Sequence, residues 1–376
     1  MATEIKKKIS IFMPTLFGAG GQRSMLNLAH GITDKGYPID LVLAKIEGEF
    51  VEEVRDPINV VNLKSSRALT SLPSLIRYLR AERPAAMISV FNYVNIIAIW
   101  AWKLAAVETR LFVNEQNTLS QEAGNASNWR GRMTPILIKR FYPWADGIIV
   151  VSNGVREDMS RLTNIPLKRI TVIYNPSVNS SEVLEKSRAP LDHPWFKPGQ
   201  PPVLVAVGRL QIQKDYPTLI KAFAEVRKVQ PARLMILGEG IERETLEGLI
   251  AELGISQDVS LPGFVKNPYA YIAQSSLFVL SSRWEGLPTV LIEALCCGTP
   301  AVSTDCPSGP REILKNGQYG TLTPVGDVDA LSQAIIENLN NNPTTPPVES
   351  WQPYEVGTVV EQYITMLLGN HTKLPS

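Results

Sequence analysis

Between Ser281 and Thr304 the chain reads SSRWEGLPTVLIEALCCGTPAVST. An apolar strand, Leu277–Leu280, leads into it; a loop, a helix near Pro288–Cys297, a stop at Gly298 and another strand follow. Pro288 suits the first helical turn, where its missing N–H costs nothing. The open amides of a helix start, with the dipole behind them, make a seat for an anion. Two carboxylates frame that seat, Glu285 on the loop and Glu293 on the helix, with seven residues between them. Such a frame suits a ligand carrying both phosphates and hydroxyls, which is the make-up of a nucleotide sugar. The bland alternative is a solvated loop acid and a helix residue that caps a neighbour. Against it, Glu293 stands among Val290, Leu291, Ile292, Ala294 and Leu295, and a carboxylate in that company needs a partner.

Outward from this stretch, short β-branched runs alternate with helical ones, the pattern of parallel sheets covered by helices. In the first half strands read at Ile9–Met13, Ile39–Leu43, Val60–Leu63, Ala86–Val90, Leu111–Asn114, Gly147–Ser152 and Thr171–Tyr174. In the second they read at Val203–Val207, Arg233–Leu237, Val259–Leu261, Leu277–Ser281, Ala301–Ser303 and Gly320–Leu322. Between the halves lies Asn175–Pro202, whose Pro176, Pro190, Pro194, Pro198, Pro201 and Pro202 read as an irregular linker. The expected organisation is a first α/β domain over 1–176, a linker over 177–200, a second α/β domain over 201–350 and a trailing helical segment over 351–376. Ligands of open parallel sheets bind beyond the carboxyl ends of the strands.

Length and composition bound the function. At 376 residues, 44% apolar and 19% charged, the chain has room for two cores of ordinary soluble type. A net charge of +1 gives no footprint for nucleic acid. Cys296, Cys297 and Cys306 form neither a CxxC pair nor a zinc spacing, and read as buried thiols of a reducing compartment. The opening MATEIKKKISIFMPTLFGAGG is broken by Pro14 and Gly18 and reads as a first strand rather than a signal peptide. The longest apolar run, Val94–Val107, contains Asn95 and Lys103 and is shorter than the roughly 20 residues of a membrane span. A cytoplasmic protein is expected.

Two more loops bear on ligands. Gly18-Ala19-Gly20-Gly21-Gln22-Arg23 follows the first strand and opens a helix, so its backbone can approach a phosphate. A dinucleotide fingerprint would need glycine where Arg23 stands, and Asp40, in place for an NAD-binding acid, falls inside a strand; a tight turn without a ligand remains the other reading. Gly208-Arg209-Leu210 and Lys214 follow the second domain's first strand. Arginine can grip a diphosphate bidentately and lysine adds a mobile point charge. A glycosidase also uses two carboxylates, but would leave this phosphate cradle unexplained.

Taken together, Arg209 and Lys214, Gly263-Phe264-Val265, and the E-x7-E of Glu285 and Glu293 resemble a retaining glycosyltransferase of family 4, across nearly the whole chain. The resemblance implies the GT-B fold, two Rossmann-like doubly wound parallel-sheet domains facing across a cleft, with the C-terminal helix returning to the first domain. It implies that Arg209 and Lys214 hold the donor diphosphate and stabilise charge on the leaving nucleotide, and that Glu293 binds the ribose. Glu285 would contact the transferred sugar, with the amides of Gly286, Leu287 and Thr289 around sugar and phosphate. Main chain at Phe264 and Val265 would receive the base, and Gly20 and Gly21 would close on the phosphates from the other domain. On this resemblance Arg209, Lys214 and Glu285 would be the catalytic set. No metal or other cofactor is expected, since two cations and a helix start supply the charge.

One departure concerns the histidine that many relatives place after a central strand of the first domain. This chain has only His30, His193 and His371. Asn92, or Glu115 and Asn117 in the run Asn114-Glu115-Gln116-Asn117, stands on that ground. A separate run, from Trp129-Arg130-Gly131-Arg132 to Lys139-Arg140-Phe141-Tyr142-Pro143-Trp144, interleaves cations with aromatics. It reads either as a helix at a membrane interface or as a partly buried helix with a solvated cationic face. The favoured expectation is transfer of a hexose or N-acetylhexosamine from a nucleoside-diphosphate sugar, a UDP-sugar first, to a glycan or lipid-linked acceptor, at the inner face of the membrane. The alternatives are another nucleotide-sugar enzyme, of epimerase or phosphorylase type, and a non-catalytic binding protein.

Overall fold

The strand-length apolar runs do form parallel strands in a computed structural model, which describes residues 6–17, 20–65, 69–124, 129–341 and 344–369. The first sheet contains β1 (Ile9–Met13), β2 (Ile39–Leu43), β3 (Asn59–Asn62), β4 (Ala86–Val90), β5 (Arg110–Glu115), β6 (Gly147–Val150) and β7 (Ile170–Val172), in the order β3-β2-β1-β4-β5-β6-β7. The second contains β8 (Val203–Val207), β9 (Arg233–Leu237), β10 (Val259–Gly263), β11 (Leu277–Leu280), β12 (Ala301–Thr304) and β13 (Thr321–Thr323), in the order β10-β9-β8-β11-β12-β13. Every pairing is parallel. Central strands such as β1 are buried at every position, because helices cover both faces of a parallel sheet. In each sheet the strand order reverses once, between β1 and β4 and between β8 and β11. Beside such a reversal two loops diverge and leave a crevice.

The helices are α1 (Gly20–Asp34), α2 (Leu72–Glu82), α3 (Asn92–Ala105), α4 (Leu119–Gly124), α5 (Trp129–Phe141), α6 (Asn153–Thr163), α7 (Ser180–Ser187), α8 (Tyr216–Val229), α9 (Arg243–Glu252), α10 (Pro268–Gln274), α11 (Thr289–Cys296), α12 (Pro310–Ile313), α13 (Val328–Asn340) and α14 (Val356–Leu368). The chain divides into two compact units, Met1–Ser177 with Val356–Ser376, and Val178–Glu355. α14 belongs to the first by its packing: Val359, Val360, Tyr363 and Leu367 are buried in one core with Ile9, Leu28 and Ile88. Gly31 on α1 makes room for it, since a Cβ there would stand 2.5 Å from Val360 Cγ2. The Arg110 guanidinium closes the far end of α14, donating to the carbonyls of Leu367 at 3.0 Å and Gly369 at 2.9 Å.

Three sequence expectations are corrected here. The run read as an irregular linker contains α7, because its prolines leave Ser177–Ala189 free of them. Asn179 caps that helix by accepting from the Glu182 amide, with the acid three residues on that a capping box requires. The strand read to Ser152 ends at Val150, and Ser152 instead caps α6, accepting from the Val155 amide at 3.3 Å. The helix read from Pro288 starts at Thr289, with Pro288 extended just outside it as the cap residue.

Candidate donor site at the second sheet

The helix start that opened the reading is built by three loops. β11 is fully buried and delivers the chain to Ser281 at the carboxyl edge of the sheet. α11 then runs to a left-handed Gly298, where the amides of Gly298 and Thr299 return to the carbonyls of Leu295 and Ala294, each at 3.0 Å. That Schellman ending explains why the helix is so short. At its start, the Leu291 amide bonds to the Pro288 carbonyl at 3.1 Å, while the Thr289 and Val290 amides before it have no carbonyl of their own helix to bond. The loop after β12 braces this start from the side. Ser308 Oγ donates to the Gly286 carbonyl at 2.8 Å, and a Cβ on Gly309 would stand 2.4 Å from Pro288 Cδ.

On the other side of the reversal, the loop after β8 carries Arg209 and Lys214. It is pressed against its neighbours: a Cβ on Gly238 would lie 2.0 Å from the Gly208 carbonyl oxygen, and the Leu210 amide donates to the Glu239 carbonyl at 2.8 Å. The loops after β8 and β11 are joined by backbone and side chain alike. The Arg283 amide donates to the Gln213 carbonyl at 2.8 Å, Ser281 Oγ to the Lys214 carbonyl at 2.7 Å, and the Arg283 guanidinium to Asp215 at 3.0 Å. Asp215 adopts a left-handed backbone, φ 48°, to turn the chain into α8.

Glu285 is the hub. It is 6% exposed, and its Oε1 lies 2.6 Å from both Lys214 Nζ and Ser282 Oγ, while Gln213 Nε2 donates to Oε2 at 3.3 Å. Glu293, 8% exposed, lies on α11. Arg209 is exposed and has no hydrogen bond or ion pair among the described residues. Phe264 is exposed just beyond β10, and Val265 is half-buried. Burial, and after it the Glu285 charge, raises the Tyr216 phenol beneath this loop. Burial likewise pushes the Cys296 thiol up to about 12, so the cysteines of this unit are inert filling rather than nucleophiles. Gln213, Ser282 and Ser308 escaped the sequence reading. Gln213 borders Lys214, and Ser282 lies three residues before Glu285, but nothing in a one-dimensional pattern says that either faces the carboxylate.

The first unit's reversal is furnished differently. Gly20 opens α1 and Gly21 packs on Phe91, whose ring would be 3.1 Å from a Cβ there; Gly18 and Ala19 lie outside the described residues. Arg23 pairs with Glu53 and lies 3.9 Å over the Phe50 ring, so it is occupied within its own unit. Phe91, directly after β4, has φ 76°, a conformation that bulky residues adopt only under constraint. Asn92 and Asn117 both donate 2.6 Å bonds to one carboxylate, Glu122 of α4, which the sequence reading missed. Burial raises Glu122, and the two amides oppose that shift. Glu115 turns inward: it is 1% exposed, accepts from the Tyr142 hydroxyl at 2.8 Å, and burial holds its carboxyl well above the usual range, with the Glu122 charge adding to the effect. Asp40 is a buried strand residue bonded by Asn59 at 2.9 Å and Tyr78 at 2.7 Å, which removes it as a cofactor acid. Among the described residues no three His, Cys, Asp or Glu side chains gather as a metal site, and no helix is long and apolar enough to cross a membrane.

Comparisons with known proteins bear on the fold and the family. Anabaena HepE solved with UDP-glucose superposes with a TM-score of 0.78 at 18% identity, covering 96% of this chain and 99% of that one. A glycosyltransferase from Rickettsia africae gives a TM-score of 0.78 at 14% identity over 97% of this chain and all of that one. These likenesses show the fold, GT-B with two Rossmann-like units. In sequence, the N-acetylgalactosamine-N,N'-diacetylbacillosaminyl-diphospho-undecaprenol 4-alpha-N-acetylgalactosaminyltransferase of Campylobacter jejuni is 31% identical over 88% of this chain and 89% of its own length. The amylovoran biosynthesis glycosyltransferase AmsD of Erwinia amylovora is 30% identical over 83% and 85%. The family model described as Glycosyltransferase Family 4 matches residues 18–177, and that described as Glycosyl transferases group 1 matches 188–351. The chain therefore belongs to glycosyltransferase family 4 and is a glycosyltransferase of the GT-B fold.

Proposed function

We propose that the enzyme moves a hexose or N-acetylhexosamine, with retention, from a nucleoside-diphosphate sugar, a UDP-sugar first, to a glycan or lipid-linked acceptor in polysaccharide or glycoconjugate biosynthesis. The observation that carries this reading is the Lys214–Glu285 pair, which joins the loop after β8, bearing Arg209, to the loop after β11, which leads into α11 and Glu293. Arg209 and Lys214 hold the diphosphate and, with the helix start, stabilise the charge that grows on it as the sugar–phosphate bond breaks. Glu293 binds the ribose hydroxyls. Glu285 and the amides of Gly286, Leu287 and Thr289 orient the sugar, and main chain at Phe264 and Val265 receives the base. The acceptor hydroxyl forms its bond to the anomeric carbon on the face that the phosphate leaves, and a phosphate oxygen takes the hydroxyl proton. Binding energy from the nucleotide orients both reactants. No step requires a metal ion, so activity should survive EDTA.

Two of the relatives support the choice of substrates: the Anabaena protein, solved with UDP-glucose, and the Campylobacter enzyme, named for a diphospho-undecaprenol-linked acceptor. A lipid-linked acceptor also fits α5. Met133 and Ile136, the latter 57% exposed, share an outward face with the exposed Arg132, Lys139 and Arg140. Three aromatics of that run turn away from this role: Phe141 packs edge-on to Trp144 at 5.1 Å, and Tyr142 is buried; the side chains of Trp129 and Arg130 lie outside the described ones. A thermal-shift panel of UDP-, GDP- and ADP-sugars tests the donor class. One of them should raise Tm in the wild type and not in a variant carrying both R209A and K214A; no shift with any would sink the reading.

A further inference from the structure

We propose that the Lys214–Glu285 ion pair makes the donor site prefer the intact nucleotide sugar over the free nucleoside diphosphate, an inference that rests on the donor-site reading above. Arg209 is exposed and uncommitted among the described residues, whereas Lys214 Nζ lies 2.6 Å from Glu285 Oε1. An arriving diphosphate therefore finds one cation ready and the other held by a carboxylate that is 6% exposed.

The two partners differ in mobility. The Glu285 amide donates to the Pro307 carbonyl at 3.3 Å, and its carboxylate also takes Ser282 Oγ at 2.6 Å and Gln213 Nε2 at 3.3 Å. The backbone of Lys214 is tied through its carbonyl to Ser281 Oγ at 2.7 Å, but the side chain is a flexible stem. That stem passes over Gly208, with Lys214 Cε 3.0 Å from where a Cβ would stand, so glycine leaves its path open. Lys214 is the member that turns toward phosphate.

Turning it withdraws a cation from a buried carboxylate, which is costly unless other donors replace it. The hydroxyls of the transferred sugar donate to Glu285 and do so. A nucleoside diphosphate lacking the sugar supplies none. The cost thus falls on the product and not on the substrate, which favours donor capture and product release.

Calorimetric titration of the full chain with UDP, GDP and ADP, and with the matching nucleotide sugar, tests this. For the nucleotide that the wild type binds, E285Q should bind it about tenfold tighter, because the neutral amide frees Lys214. The same change in a K214A background should have no effect, and E285Q should not tighten binding of the nucleotide sugar. E285D, which draws the carboxylate back from Lys214, should shift nucleotide affinity in the same direction and serves if E285Q does not fold. Nucleotide binding by E285Q and E285D equal to or weaker than wild type, with K214A still weakening it, overturns the pair's role and leaves the donor-site reading standing. If the wild type binds none of the three, or R209A and K214A bind like the wild type, the donor-site reading falls and this inference with it.

Discussion

The two sheets share one strand order around their reversals, β3-β2-β1-β4-β5-β6 and β10-β9-β8-β11-β12-β13, yet furnish them in opposite ways. Beside β8 and β11 the loops carry Arg209 and Lys214, with Glu285 pinned by Gln213 and Ser282. Beside β1 and β4 they carry glycines, a strained Phe91, and the amides of Asn92 and Asn117 turned onto Glu122. Topology makes a crevice in either unit; cations decide which of them suits a diphosphate. At Glu115 and Glu122 burial already disfavours negative charge, as the raised carboxyls record, and the same burial would disfavour a phosphate.

The contrast is most easily broken by kinetics. R209A or K214A should lower kcat/KM by about 100- to 1,000-fold, the scale of a lost charge-stabilising donor, while N92A or N117A costs far less. Equal losses at the two edges would end the distinction. Glycine substitutions come next. G238A should destabilise by about 3 kcal/mol or more, because it adds a Cβ 2.0 Å from a backbone oxygen at φ 148°. G21A should stay within about 1 kcal/mol, since its 3.1 Å neighbour is the edge of the Phe91 ring and alanine favours the helix. Urea denaturation of each variant reads both values.

A third difference is in pH response. The folded-state value of Glu115 is raised, so the native chain holds its proton longer than the unfolded chain does. Stability should therefore fall as pH climbs from the ordinary carboxyl value of about 4.5 to the raised one, with a slope of about 1.4 kcal/mol per pH unit across that window. E115Q keeps an acceptor for Tyr142, and should flatten that slope and raise Tm at pH 8; an unchanged profile would refute the burial argument. A last difference concerns α5. A double change, R132E with K139E, should weaken sedimentation with anionic vesicles by about 1 kcal/mol per cation removed and leave donor binding untouched.

Much of the fold was legible because parallel strands buried on both faces must be short and apolar, and β1, β2, β4, β8 and β9 stand where such runs stand. Legibility failed at α6 and α7. There polar caps, Ser152 and Asn179, start helices inside runs that composition alone assigned to strand or linker. In the site, charge and glycine spacing pointed to Arg209, Lys214, Glu285 and Glu293, since a charged residue beside an apolar strand has few structural excuses. Asn92 and Asn117 were noticed, but not the Glu122 that holds them, because an acid in a polar loop looks like any solvated acid.

By itself, then, the sequence determined which runs become strands and which of the loops after them carry charged side chains, since both follow from local hydrophobicity and chemistry. Only the tertiary structure decided that Lys214 rests on Glu285 while Arg209 stays open, that Ser282 and Gln213 hold that carboxylate, and that Glu115 faces Tyr142. Those are contacts between segments up to 72 residues apart. Their partners are selected by strand order and by the close approach of Gly238 to the Gly208 carbonyl and of Gly309 to Pro288, which no local pattern encodes.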